Sequence, residues 1–472
     1  MKLLEQIRYF ESLEIEHGIP TNQLYLYYFI LFLLYLFFLR GLKPTYITAT
    51  MFLMLNQGFF EVLVGREGIV GVKIALVVFI LILLIKTRVS NLTNREIIVL
   101  VSFIVFSILF YLGYIVNGVS VVWASYQYYK YAFPVSIYFI MKGMNFREQQ
   151  FEYYTNLLFK LLIFQVVFSV VKILVIGFRE NIVGSIANAG GGIGIGYAVM
   201  GTITYWVMKG SNFQVKDWRF VLSFLLIPIA SNKRAIWFLY PIIILMLMGE
   251  RLSRNIIRNL AVIVLITPLL MYVGFRLNPT LNPERKLWGS FDPEYAIDYA
   301  LSYSGVSEEK LAGEYAQGRW GSSVAIVRET WENPFTKEAL IGFARSREGK
   351  FSEDFRPEDY GFMRGTMVSQ IGIMIIKMGW VATIVTIFIF MLLIYSIPNK
   401  RVANIIALYV LWDSIFYSGS MINSPVQSVL LVYCIWLIRY HGLKQVAPQA
   451  EFNSNKNNNL PLEYSLSAQH AH

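Results

Sequence analysis

Two adjacent cations in Ala230-Ser-Asn-Lys-Arg-Ala-Ile-Trp237 stand at the end of an apolar run. A charge facing lipid there costs about 2.5 to 3.5 kcal/mol on insertion scales, so such a pair must face a polar cavity or snorkel to the headgroups. In a cavity, Lys233 as a point charge and Arg234 as a planar fork would form a donor pair for phosphate or pyrophosphate. A third cation opens Gly318-Arg-Trp-Gly-Ser-Ser-Val-Ala-Ile-Val-Arg-Glu-Thr-Trp-Glu-Asn-Pro334. Trp320, Val324, Val327 and Trp331 recur there at helical spacing, which predicts a short amphipathic helix ending before Pro334, its apolar stripe laid on the rest of the protein. Arg319 and Arg328 lie about 180° apart around that helix, so only one can point into a shared cavity. Arg319 is the one selected; a solvated arginine at a helix end is its bland alternative.

Carboxylates cluster further on, where Glu353, Asp354, Glu358 and Asp359 precede Arg364 in a stretch that also holds Arg356 and Tyr360. Glu358 or Asp359 could act as general base toward a hydroxyl or hold an acceptor, with Arg364 as a further anion donor. Such a cluster is more often simply a solvated charged face. The chain has no Asp-x-Asp pair and no grouping of His, Cys and carboxylates suited to a metal, so no metal and no cofactor is expected. The single cysteine, Cys434, lies in an apolar run and reads as a small buried residue. Gly190-Gly-Gly-Ile-Gly-Ile-Gly196 lacks the preceding strand and the Lys-Ser/Thr ending of a phosphate-cradling loop. It reads as a close-packing or broken part of a span.

The elements that must position these groups are dictated by composition. With 56% hydrophobic and 15% charged residues in 472, too little polar surface exists to cover a soluble globule. The net charge of +11 comes from basic residues set singly or in twos and threes beside apolar runs, which describes membrane topology and excludes a nucleic-acid-binding face. The expected fold is an all-α polytopic membrane protein of about 12 to 13 transmembrane helices with one large, partly helical extracytoplasmic loop. Spans are predicted near 23–39, 44–64, 69–85, 96–116, 127–142, 154–176, 183–208, 219–231, 235–249, 257–275, 367–395, 402–418 and 423–438. The 219–231 piece is short for a crossing. Residues 1–22, with Glu5, Glu11, Glu14 and Glu16 among apolar neighbours, read as an amphipathic interfacial segment without the pattern of a cleaved signal. The remaining divisions are 23–276 for the N-terminal spans, 277–366 for the loop, 367–440 for the C-terminal spans and 441–472 for a disordered cytoplasmic tail.

Alternating sides places Arg40/Lys43, Lys86/Arg88/Arg95, Lys142/Arg147, Lys209/Lys216/Arg219, Arg251/Arg254/Arg258, Lys400/Arg401 and Arg439/Lys444 in the cytoplasm. The other side carries chiefly Arg66, Lys130, Arg179 and the Lys233/Arg234 pair. Within the spans, Glu61, Lys73, Lys160 and Lys172 must face protein, water or headgroups, and their partners are not legible.

In this setting the chain resembles the superfamily of O-antigen ligases and O-antigen or capsule polymerases. Ser231-Asn-Lys-Arg234-Ala resembles its serine-x-arginine motif at the outer end of a span. Gly318-Arg319, a helix, Asn333-Pro334 and Leu340-Ile-Gly-Phe-Ala344 resemble its loop pattern, and Gln370 to Trp380 with Gly379 resembles its return into the membrane. Ligase-type members carry a His-Asn pair where this chain has Val368-Ser369, which turns the reading toward a polymerase. The resemblance implies a glycosyltransferase of the bacterial cytoplasmic membrane, its site facing outward. It would move a glycan from undecaprenyl pyrophosphate to a hydroxyl of an acceptor lipid-linked repeat unit, with inversion and without metal. Lys233, Arg234 and Arg319 would stabilise the leaving pyrophosphate, and Arg364 would assist. The implied partners are the lipid-linked donor and acceptor, the bilayer and a chain-length regulator. Ligase-type transfer to another acceptor remains the alternative, as does a transporter of lipid-linked oligosaccharide. Against a transporter stand the lack of an inverted repeat and the position of the cations at an outer end.

Overall fold

The computed structural model describes residues 29–30, 33, 45–58, 66–87, 89, 92–144, 148–176, 183–185, 192–231, 233, 235–249, 268–269, 271–278, 281–286, 288–304, 319–343, 368–417, 421–422 and 424–458. In chain order the helices are α1 (Tyr46–Leu55), α2 (Arg66–Lys86), α3 (Asn94–Val116), α4 (Val121–Gly143), α5 (Glu148–Ile176), α6 (Gly192–Lys209) and α7 (Trp218–Ala230). They continue with α8 (Ala235–Met248), α9 (Pro293–Ser304), α10 (Arg319–Glu332), α11 (Lys337–Ile341), α12 (Gln370–Ile394), α13 (Lys400–Phe416) and α14 (Pro425–Asn458).

Among the described residues, Asn94–Val116, Glu148–Leu174, Gln370–Ile394 and Pro425–Leu443 are long and apolar enough to cross a membrane, and α1, α7 and α8 are shorter apolar helices. The chain is a multi-pass helical membrane protein. α7, of 13 residues, is about 20 Å long against a hydrocarbon core of about 30 Å, so it cannot cross alone.

Helix starts follow local chemistry. Thr93 caps α3 in a reciprocal box with Glu96, Ser120 caps α4, Ser369 caps α12 and Asn399 caps α13. α14 runs through the centre, packed on α4 and α6, while α12 packs on α3 and α13, and α7 on α6 and α5. Since lipid removes the hydrophobic drive between helices, close approach must come from small residues. Gly194, Gly196 and Gly201 supply it along α6, where an added Cβ would press on Ile227, Met421 and Leu162.

At one end of the bundle the buried Glu96 binds Lys142 from α4 and Arg439 from α14, the latter at 2.7 Å, and Tyr138 shares the cluster. Arg95 donates to the Tyr395 carbonyl beside it. The opposite end gathers the starts of α6, α12 and α14 with the ends of α7 and α13. α9, α10 and α11 are helical mass outside the spans.

Several boundaries differ from the sequence reading. The 183–208 span begins only at Gly192, because Val183–Ser185 form a turn with Gly184 at φ 54. The Gly184 and Ser185 N–H groups donate to Ser169 Oγ and Gln165 Oε1 instead of to a helix. This non-helical backbone is tolerable because it is buried in protein. Within the 44–64 span, α1 is interrupted at Asn56, whose side chain is held by Ser185 and the Phe52 carbonyl, and residues 57–58 are again helical. α14 continues past Gly442 to Asn458, into the stretch expected to be an unstructured tail. Of the 257–275 and 23–39 spans, the described residues include 271–275 and 29–30, all helical.

Candidate functional site

Arg319 is the first residue of α10, and its placement depends on how that helix seats. The apolar stripe read from Trp320, Val324, Val327 and Trp331 is turned: Trp331 is 71% exposed and Val324 44%, while Ile326 and Val327 pack on Val368, Ile373, Ile375 and Ile376. Small side chains decide this. Ser323 Oγ bonds Ser369 Oγ at 2.6 Å and the Arg319 carbonyl at 2.5 Å, and a Cβ on Gly372 would stand 3.3 Å from Ser323 Oγ. Trp380 Nε1 donates to Thr330 Oγ1 at 2.8 Å and locks the far end of the helix.

Seated in this way, Arg319 directs Nη1 to the Phe416 carbonyl at 3.4 Å, and its guanidinium lies 5.2 Å from the Tyr417 ring centroid. Arg328 pairs instead with Glu332 at 2.9 Å on the surface. The Tyr417 carbonyl accepts from Gln370 N at 2.7 Å, which ties the start of α12 to the same place. On its other side Tyr417 meets the start of α6, since a Cβ added at Gly192 would stand 3.2 Å from Tyr417 Cδ1.

The first turns of α6 also receive the second sequence motif. α7 runs through Pro228 to Ala230, Lys233 N bonds the Pro228 carbonyl at 2.9 Å, and the buried Ser231 Oγ stands 3.4 Å from where a Cβ on Gly194 would be. Gly192–Gly196 thus forms the hub between Ser231 and the Arg319–Tyr417 pair. Its role is close packing, as the sequence suggested. The start of α6 also adds the positive end of a helix dipole beside Arg319. Arg234, Glu353, Asp354, Arg356, Glu358, Asp359, Tyr360 and Arg364 lie outside the described residues.

Sequence reasoning missed the groups behind Arg319. Over Gly196 converge Gln427 Oε1 and Tyr409 Oη, 3.1 and 3.3 Å from the position of a Cβ. The Tyr409 hydroxyl and both amide atoms of the buried Gln370 make no hydrogen bond among the described residues. Such unused donors and acceptors are costly, which is why they concentrate where a polar ligand is handled. Asp413, buried in α13, accepts from Met421 N at 2.7 Å and lies within electrostatic reach of Arg319. A carboxylate alone in the 402–418 apolar run was the available signal.

The intramembrane lysines also find surroundings. Lys73 Nζ reaches Tyr126 Oη at 3.2 Å and lies over the Tyr126 and Tyr129 rings. Lys160 lines a groove beside Lys209, Lys216 and Arg219. Cys434 is buried and unpaired.

No family model, curated protein or solved structure matches the chain. The helices define it as a polytopic, all-helical membrane protein with additional helices outside the spans.

Proposed function

We propose that the protein is a polysaccharide polymerase of the O-antigen or capsule type in the bacterial cytoplasmic membrane. It has about 12 to 13 spans, an outward-facing loop over residues 277–366 and a cytoplasmic C-terminus. The observation that carries this reading is the seating of Arg319 on Tyr417 at the end of α13, against the same first turns of α6 that meet Ser231. A guanidinium held at one end of a membrane bundle, as that of Arg319 is, suits a lipid pyrophosphate, whose anion stays at the surface while its chain lies in the bilayer.

In the reaction, an acceptor hydroxyl attacks the anomeric carbon of the lipid-linked sugar from the face opposite the leaving group. The new C–O bond forms as the bond to pyrophosphate breaks, undecaprenyl pyrophosphate leaves with the electron pair, and configuration inverts. Negative charge growing on the pyrophosphate is the principal cost. Arg319, Lys233 and Arg234 offset it without a metal, and removing one such donor costs about 10²- to 10³-fold in rate by analogy with oxyanion-hole donors. Arg364 assists, and Glu358 or Asp359 takes the hydroxyl proton or holds the acceptor.

The test mixes purified protein with a lipid-linked oligosaccharide repeat unit from the same host, with and without EDTA, comparing wild type with Arg319→Ala. A ladder of longer lipid-linked products, insensitive to EDTA and lost in the variant, is expected. If the units stay single while the protein moves them across a liposome membrane, the chain is a transporter.

A further inference from the structure

The Glu96 end of the bundle holds a second charged concavity, remote from Arg319. A groove of about 1090 Å³ opens between α5, the end of α6 and the start of α7. Its cations are Lys160, Lys209, Lys216 and Arg219, against one carboxylate, Asp217. That carboxylate is engaged: Tyr205 Oη and Gln214 N each donate to it at 2.7 Å, and Lys209 Nζ lies at 3.6 Å. Among the described residues that line the groove, three positive charges therefore have no matching carboxylate. The Arg219 guanidinium lies 5.0 Å from the Phe220 ring centroid and is exposed, as are Lys160 and Lys216.

Lys160 makes the arrangement informative. It sits about 18 Å along α5 from Glu148, within a segment long and apolar enough to span. A lysine at such a depth on a lipid-facing surface is costly unless it meets water or an anion. The wall beside it is apolar, formed by Phe159, Ile163 and Val167, and the Thr155 hydroxyl in the same wall makes no hydrogen bond among the described residues. A soluble anion would use the cations and leave the aromatic wall idle. A zwitterionic lipid would fill the wall and bring no net charge.

We infer that this groove binds an anionic glycerophospholipid, its phosphate between Lys160, Lys216 and Arg219 and one acyl chain along Phe159, Ile163 and Val167. Phosphate oxygens can accept from all three cations, and the chain covers the wall, so both halves of the groove are used. The site lies at the opposite end of α6 and α7 from Arg319, and its occupancy does not depend on what reaction occurs there.

The full-length protein, stripped of lipid in a neutral detergent, is titrated with phosphatidylglycerol, with phosphatidylcholine of the same chains and with glycerol 3-phosphate. Binding is followed by native mass spectrometry and by the shift in melting temperature. One phosphatidylglycerol is expected to bind at least ten-fold more tightly than phosphatidylcholine, and glycerol 3-phosphate not at all. Lys160→Gln should lose that preference, and Val167→Trp, which fills the wall from an exposed position, should lose lipid binding while melting like wild type. Equal binding of both lipids, binding of glycerol 3-phosphate to match the lipid, or an unchanged preference in both variants would overturn the assignment.

Discussion

Gly342 and Gly379 cross backbone against backbone: a Cβ on Gly342 would stand 2.7 Å from Gly379 N, and one on Gly379 would stand 2.3 Å from the Leu340 carbonyl. Both have positive φ, 76° and 73°, with extended ψ, a region essentially restricted to glycine. At this crossing α12 breaks, Phe343 N donates to the Ile376 carbonyl at 2.7 Å, and Asn117 Nδ2 reaches the Gly342 carbonyl at 3.0 Å. The segment after α10 is thereby pinned to the broken span and to the end of α3, and the pin helps fix where Arg319 can sit.

Gly342→Ala and Gly379→Ala should each lower stability on the order of 3 kcal/mol, combining backbone strain with a clash against main chain. Gly118, also at positive φ but with nothing within 4 Å of an added Cβ, is the control. Its alanine variant should lose only about 1 kcal/mol. Melting of the purified variants decides the matter, and equal losses at all three positions would remove the crossing.

Tyr417 should matter through its ring. Tyr417→Phe keeps a face for Arg319 and should polymerise at about the wild-type rate, whereas Tyr417→Leu loses a contact worth about 0.5 to 2 kcal/mol and should slow roughly 2- to 30-fold. Rates on the lipid-linked substrate test this, and indistinguishable variants would mean that the ring does not hold the guanidinium.

Asp217 links stability to pH. The Gln214 N–H, then the Tyr205 hydroxyl and Lys209, hold its carboxyl below the usual carboxylate range. A carboxyl depressed in the folded state stabilises fully above its unfolded pKa of about 3.9, and the contribution fades as pH falls through the lower folded value. Asp217→Asn should therefore melt below wild type by a constant gap from neutral pH to about pH 5, with the gap closing in stronger acid. A gap that does not narrow at all as pH falls would point to packing instead of charge.

Orientation can be read by labelling. The chain has one cysteine, and Cys434 is fully buried, so an impermeant maleimide should leave the native protein unmarked. Phe335→Cys, at a site 89% exposed near α11, should label in intact cells, and Lys400→Cys only after permeabilisation. The reverse pattern would invert the proposed topology.

The amino-acid sequence by itself determined the solvent and the class of the chain, because 56% hydrophobic residues arranged in long runs can be satisfied only by helices in lipid. It also singled out the cations and several span boundaries, since apolar length, prolines and capping residues are local properties. What only tertiary structure decided is which of these groups meet. The turn at Val183–Ser185 depends on Gln165 and Ser169 from another helix, and the face of α10 depends on Ser323 fitting beside Ser369 and Gly372. Tyr409 and Asp413 share a face of α13, four residues apart, and Gln370 opens α12; all are distant in sequence from Arg319, and no periodicity joins them to it. Their juxtaposition is set by close packing at Gly192–Gly196 and by the crossing of Gly342 with Gly379, where the absence of a side chain is the information, and that has meaning only once the opposing backbone is in place.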